Sequence, residues 1–97
     1  MLEKKKILNI LKQYKIEHNA DYGIIKIGIF GSVARDEAKD SSDVDIVVEL
    51  KKPNLFTLSS IRLELEDKLK NHVDVVRLRD KMNQFLKSQI IKEAIYA

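Results

Sequence analysis

GSVARDEAKDSSDVD, running from Gly31 to Asp45, decides the fold, because aliphatic runs stand on both sides of it. Ile24-Ile25-Lys26-Ile27-Gly28-Ile29-Phe30 leads in and Ile46-Val47-Val48 leads out. β-branched runs bounded by Gly, Ser and Asp read as strands. The pattern predicts a strand over residues 22–30, a tight turn at Gly31-Ser32, one or two helical turns over Val33–Lys39, a polar loop at Asp40-Ser41-Ser42, and a second strand over Asp43–Leu50. Alternation in the first strand places Ile25, Ile27 and Ile29 on one face and Gly28 on the other. Close approach of another group to the Gly28 backbone, or simple packing, would each explain that glycine.

The polar residues of this stretch have a shared chemistry. Unpaired N–H groups where a helix starts favour anions, so the Gly31-Ser32 turn can cradle a phosphate. Ser32 can cap the helix or donate its hydroxyl to that phosphate. Arg35 offers a planar fork to a phosphate, and a surface pair with Asp36 or Glu37 is its alternative. Asp43 and Asp45, two residues apart on a strand, project to the same side. Aspartate is disfavoured in strands and like charges repel, which a divalent cation would relieve. A calcium loop of the EF-hand type is set aside, because neither Asp40 nor Asp43 as first ligand leaves a glycine at the sixth position.

Farther out, residues 2–17 carry Ile7, Ile10, Leu11 and Tyr14 at helical spacing, with Lys4, Lys5, Lys6, Lys12 and Lys15 on the remaining surface. His18 ends that helix. Lys51-Lys52-Pro53-Asn54 is a turn, with Asn54 as N-cap of a helix to about Asn71 and Leu58, Ile61, Leu65 and Leu69 as its buried stripe. His72–Leu78 is a third strand. Asp74 sits among its β-branched residues and is expected to be partly buried, where it needs Arg77 or Arg79, or a metal shared with Asp43 and Asp45. Asp80 is expected to cap a last helix from Lys81 to about Tyr96, with Met82, Phe85, Leu86 and Ile90 on one side. Helices and strands thus alternate in an α/β (α+β) fold. The expected sheet is small and mixed, of three to four strands, with helices packed on one face and the aspartate face open at one end.

The chain has 97 residues, 44% of them hydrophobic, which fits one domain (1–97) with a small core. It has no cysteine, so disulfides and thiolate metal sites are excluded. Eighteen basic residues against fifteen acidic ones leave a net charge of +3, with no dense basic patch interleaved with aromatics and so no strong signal for nucleic-acid binding. The apolar runs fall short of a membrane span and MLEKKKILNI lacks the features of a secretory signal, so a cytoplasmic protein without membrane attachment is expected.

Gly31-Ser32, ten intervening residues (33–42), and then Asp43-Val44-Asp45 resemble the signature of the DNA polymerase beta-like nucleotidyltransferase superfamily. GSVAR, SSDVDIVV, VDVVRL and the terminal KEAIYA are most similar to its smallest members, the minimal nucleotidyltransferase (MNT) antitoxins. The resemblance spans nearly the whole chain and implies a polymerase beta palm-like fold. It implies that Gly31 and Ser32, with Arg35 beside them, bind the nucleotide. It also implies that Asp43, Asp45 and Asp74 form a catalytic and metal-binding triad for two Mg²⁺ ions, with ATP as substrate. Many such proteins accompany HEPN-domain toxins, and some transfer AMP to a toxin tyrosine. The resemblance therefore implies a HEPN partner, in a homo- or hetero-oligomer, and Mg-dependent transfer of AMP to a hydroxyl. A non-catalytic antitoxin that acts by binding, or an enzyme modifying a small molecule, are the alternatives. One position departs from the pattern: family members often carry glycine where this chain has Asp36, which would either hinder phosphate approach or point into solvent.

Overall fold

Residues 3–39 and 41–97 are described by the structure, a computed structural model. Leu2, the expected start of the first helix, and Asp40 of the polar loop lie outside the described residues. The elements run α1 (Lys4–His18), β1 (Ile24–Phe30), α2 (Gly31–Ala34), β2 (Val44–Leu50), α3 (Leu55–Leu69), β3 (Val73–Arg77), α4 (Gln84–Glu93) and β4 (Ile95–Tyr96). The four strands form one mixed sheet in the order β3-β2-β1-β4. β1 is antiparallel to both β2 and β4, and β2 is parallel to β3. None of the described helices is long and apolar enough to cross a membrane.

The larger core lies between one sheet face and the helices α1 and α3. Val44, Ile46, Val48 and Leu50 of β2 meet Ile7, Leu11 and Tyr14 of α1 and Ile61 and Leu65 of α3. This is the strand and helix periodicity expected from the sequence. The β1 contribution is shifted. An irregularity between Ile24 and Lys26 puts Ile24, rather than Ile25, on the core face with Ile27 and Ile29. Ile25 is 40% exposed as a result. A bulge adds a residue and so inverts the alternation on one side of it, which no residue type here announces.

Helices do not all lie on one face. α4 crosses the opposite face, where Ile90 packs on Phe30 and Val47 with Leu86 and Met82 beside it. Val47 and Val76 give that face an apolar strip of its own, and a strip of this kind must be covered. The helix is also shorter than expected. Its cap is Asn83, whose side chain accepts from the Leu86 N–H at 3.0 Å, and not Asp80. Phe85, expected to face the core, is 82% exposed. After Glu93 the chain leaves the helix and adds β4 to the edge of β1, with Gly28 opposite Tyr96 and Ile29 opposite Ile95.

That edge pairing explains Gly28. A Cβ there would run into the Ile95 carbonyl oxygen and lie 2.9 Å from the Tyr96 Cα. The glycine admits the backbone of β4. The N-cap of α3 matches expectation, with Asn54 Oδ1 accepting from the Phe56 N–H at 2.7 Å; such caps contribute about 1 kcal/mol.

Candidate active site

The polar residues gather where β1 ends and β2 and β3 begin. Gly31 follows β1 with φ of +72°, in the left-handed region that glycine enters freely, and opens α2. A Cβ on Gly31 would collide with Asp45 Oδ2, so the turn lies directly against that carboxylate. Phe30 occupies the N-cap position without a side-chain cap, so Ser32 is not the cap that the sequence allowed it to be. Its hydroxyl makes no hydrogen bond among the described residues, while its carbonyl accepts from the Glu37 N–H at 2.8 Å and closes the short turn.

Asp45 is half-buried in β2, and Asp74 is its register partner in parallel β3. Paired residues on neighbouring strands point to the same face, so both carboxylates share the α4 side of the sheet, at the end α4 leaves uncovered. Burial, then the charges of Asp74 and Asp43, push the Asp45 carboxyl above the usual aspartate range. Asp74 itself is exposed, against the expectation of partial burial. It lies at the second residue of β3, an edge strand of the sheet. Asp43 is also exposed and stands one residue ahead of β2. The loop before it is tethered. Ser42 Oγ accepts from the Lys39 N–H at 2.9 Å, and Asn71 Nδ2 donates to the Ser42 carbonyl at 2.9 Å. Asp43 and Asp74 are near enough for their charges to act on Asp45. Among the described residues, however, no three His, Cys, Asp or Glu side chains form a ready-made metal cage.

Arg35 has partners. Nε donates to Glu37 at 3.0 Å, and one terminal nitrogen donates to both oxygens of Glu93 at 3.0 Å. Glu93 Oε2 also accepts from the Gly31 N–H at 3.2 Å. Burial pushes the Glu93 carboxyl up, but hydrogen bonds from Arg35 and from the Gly31 N–H outweigh it and hold the group below the usual range. Glu93 stands in the KEAIYA segment, but nothing in the sequence assigned it a role at the site. It lies far along the chain from its partners, inside a segment that reads as an ordinary helix end.

Asp36 has φ of +60°. Aspartate is among the few side chains that tolerate this region, which glycine enters without strain. The backbone therefore explains why glycine suits this position. The Asp36 carboxylate turns away from the carboxylate face and pairs with Lys4 Nζ at 2.8 Å.

The sequence matches the family described as Polymerase beta, Nucleotidyltransferase over residues 5–96. Protein adenylyltransferase MntA of Thermococcus cleftensis is 34% identical over 97 residues, covering 99% of this chain and 97% of that one. A solved structure of a protein assigned as a minimal nucleotidyltransferase aligns with a TM-score of 0.76 at 29% identity, over 97% of this chain and 95% of that one. A chain in the complex of a tri-AMPylated Shewanella oneidensis HEPN toxin with MNT antitoxin aligns with a TM-score of 0.70. It is 20% identical over 96% of this chain and 70% of that one, a likeness of fold. With the family matched along nearly its whole length and the sheet carrying the aspartates at its open end, this chain belongs to the polymerase beta nucleotidyltransferase family.

Proposed function

We propose that this chain, as one nucleotidyltransferase domain in the cytoplasm, transfers AMP from ATP to a tyrosine hydroxyl of a HEPN-domain toxin and so serves as its antitoxin. The observation that carries this reading is the alignment of Asp45 with Asp74 on one sheet face, with the Gly31 turn packed against Asp45. The donor set fits Mg²⁺. Carboxylate oxygens are its preferred ligands, and it is commonly held by one or two carboxylates together with substrate phosphates and water rather than by a closed protein cage. Asp45, with its raised carboxyl pKa, is a group whose ionised form a cation would favour. Asp43, Asp45 and Asp74 are the residues that would hold it. Bound there, Mg²⁺ would neutralise phosphate charge and favour the ionised acceptor oxygen.

The chain's own residues supply alignment. The Gly31-Ser32 turn, with the Ser32 hydroxyl available, holds the triphosphate beside Asp45. Asp74, exposed at the rim, faces the incoming hydroxyl and holds its proton as the oxygen attacks the α-phosphorus. The bond from the α-phosphorus to the bridging oxygen breaks, pyrophosphate leaves, and AMP stays on the acceptor. Alignment of this kind accounts for much of the catalysis in such transfers. The acceptor surface belongs to the partner, in a hetero-oligomer.

Intact-mass measurement of a HEPN-domain partner, incubated with this protein, ATP and Mg²⁺, tests the reading. One or more AMP-sized gains, absent with Asp43→Asn, are expected. A stable complex with no mass gain would replace it with an antitoxin that acts by binding. A gain on a small molecule, with none on protein, would replace the acceptor.

A further inference from the structure

Among the described residues, the Glu93 carboxylate joins the end of α4 to the turn beside Asp45. It accepts from the Gly31 N–H at 3.2 Å and from Arg35 at 3.0 Å through both oxygens, and Gln89, one turn earlier on α4, donates to it at 3.4 Å. The Glu93 side chain is 20% exposed and that of Arg35 39%, so the carboxylate is partly enclosed while the guanidinium side of the pair is open to solvent. Glu93 is itself firmly placed. The Ala94 N–H closes the helix on the Ile90 carbonyl at 2.8 Å, and β4 follows at once, with the Ala97 N–H on the Ile27 carbonyl at 2.9 Å. Ile90, fully buried, pins the same helical turn to the sheet.

From these contacts we propose that Glu93 is a positioning residue for nucleotide binding. It fixes the Gly31 peptide and Arg35 as one unit and so sets the turn against Asp45. Arg35 in this arrangement is a structural brace between Glu37 and Glu93, and its effect on nucleotide passes through the turn. The geometry runs without a gap. Glu93 holds the Gly31 N–H, Gly31 packs on Asp45 so closely that no Cβ fits between them, and Asp45 is aligned with Asp74. A turn of four helical residues has little rigidity of its own, so an ion pair from a helix docked on the sheet is the support it needs. The inference rests on the nucleotidyl-transfer reading for its consequence, though the Glu93 contacts can be tested without nucleotide.

Glu93→Gln keeps the shape and removes the charge. In nucleotide-free protein, the Gly31 amide is expected to shift in ¹⁵N–¹H spectra and to exchange faster in Glu93→Gln than in wild type. Calorimetry with ATP and Mg²⁺ is expected to show affinity lower by about 10- to 100-fold, the scale on which a misplaced group costs binding and rate. The thermal midpoint should stay near that of wild type. Arg35→Ala, Glu93→Ala and the double variant give a second readout. The double should be no weaker in ATP affinity than the worse single variant, because residues acting as a unit are not additive. Unchanged or tighter ATP binding in Glu93→Gln, or additive losses in the cycle, would overturn the proposal. Tighter binding would instead make Glu93 a competitor for the phosphate position. If wild type fails to bind ATP with Mg²⁺, the nucleotidyl-transfer reading falls and takes the positioning role with it, while the amide data still report on the contact itself.

Discussion

Asp45 on β2 and Asp74 on β3 are register partners on parallel strands, and both face the side of the sheet that α4 leaves open at that end. Like charges placed opposite each other in a sheet cost stability, by up to about 1 kcal/mol. The raised carboxyl of Asp45 gives the cost a pH dependence. Burial, then Asp74 and Asp43, make the folded protein hold the Asp45 proton more tightly than the unfolded chain does. Stability from this group is therefore full below the ordinary carboxylate range and is lost as pH rises through the raised value. Asp45→Asn should be more stable than wild type at neutral pH, by up to about 1 kcal/mol, with the gap shrinking in mild acid. Urea melts at pH 4 and pH 7 measure this. The same variant should lose AMP transfer, and Mg²⁺ should raise the thermal midpoint of wild type but not of Asp45→Asn.

Gly28→Ala tests how β4 is attached. The new methyl would meet the Ile95 carbonyl and the Tyr96 Cα, both backbone, so the strand and not a side chain must yield. A loss of about 1–3 kcal/mol is expected, the usual range for overpacking. Hydrogen exchange locates it. The Ala97 N–H, bonded to the Ile27 carbonyl at 2.9 Å, should lose protection first, while the β1–β2 ladder keeps its own.

Much of this fold was legible because its signals are local. The stripe Ile7, Leu11 and Tyr14, the cap at Asn54, and the alternation of Val44, Ile46 and Val48 each follow from short-range spacing, and the structure buries or bonds each as expected. The features that escaped depend on distant partners. β4 exists because Gly28 leaves room beside β1, and the residues Ile95-Tyr96 continue a helical pattern when read alone. Asp74 looked half-buried because its neighbours are apolar. A strand's place at the edge of a sheet is a matter of topology, which one strand's sequence does not carry. In the site, the aspartates and the Gly-Ser turn were visible as a motif. Glu93 lay within the KEAIYA segment, but its role was not visible, since its contact with Gly31 spans 62 positions.

Asp36 separates backbone strain from electrostatics. Its φ of +60° suits glycine, and its carboxylate pairs with Lys4 at a site where the aspartate is 68% exposed, so the pair contributes little. Asp36→Gly should change stability by less than about 1 kcal/mol, since relief of strain offsets the added freedom of the unfolded chain. Asp36→Val puts a β-branched residue in the same region and should cost about 1–2 kcal/mol. Chemical denaturation of the two variants checks the contrast. Because the carboxylate turns away toward Lys4, ATP affinity in Asp36→Gly should match wild type.

Glu64 on α3 accepts from two tyrosines, Tyr14 of α1 at 2.8 Å and Tyr22 ahead of β1 at 2.7 Å, and so ties together the elements around the main core. Tyr14 is buried, and burial followed by its bond to Glu64 pushes its hydroxyl far above the ordinary value near 10. Tyr22 shifts the same way, chiefly through Glu64. Above about pH 10 the unfolded chain ionises at these hydroxyls while the folded one resists, so stability should fall as pH rises past that point. Tyr14→Phe should flatten that alkaline decline. Glu64→Leu should cost about 1–3 kcal/mol at neutral pH by leaving the Tyr14 hydroxyl buried without its acceptor. The double variant Tyr14→Phe/Glu64→Leu removes donor and acceptor together and should recover part of the loss. Urea melts of the four proteins at pH 7 and pH 10.5 give both answers, and equal alkaline slopes in wild type and Tyr14→Phe would assign the decline to other groups.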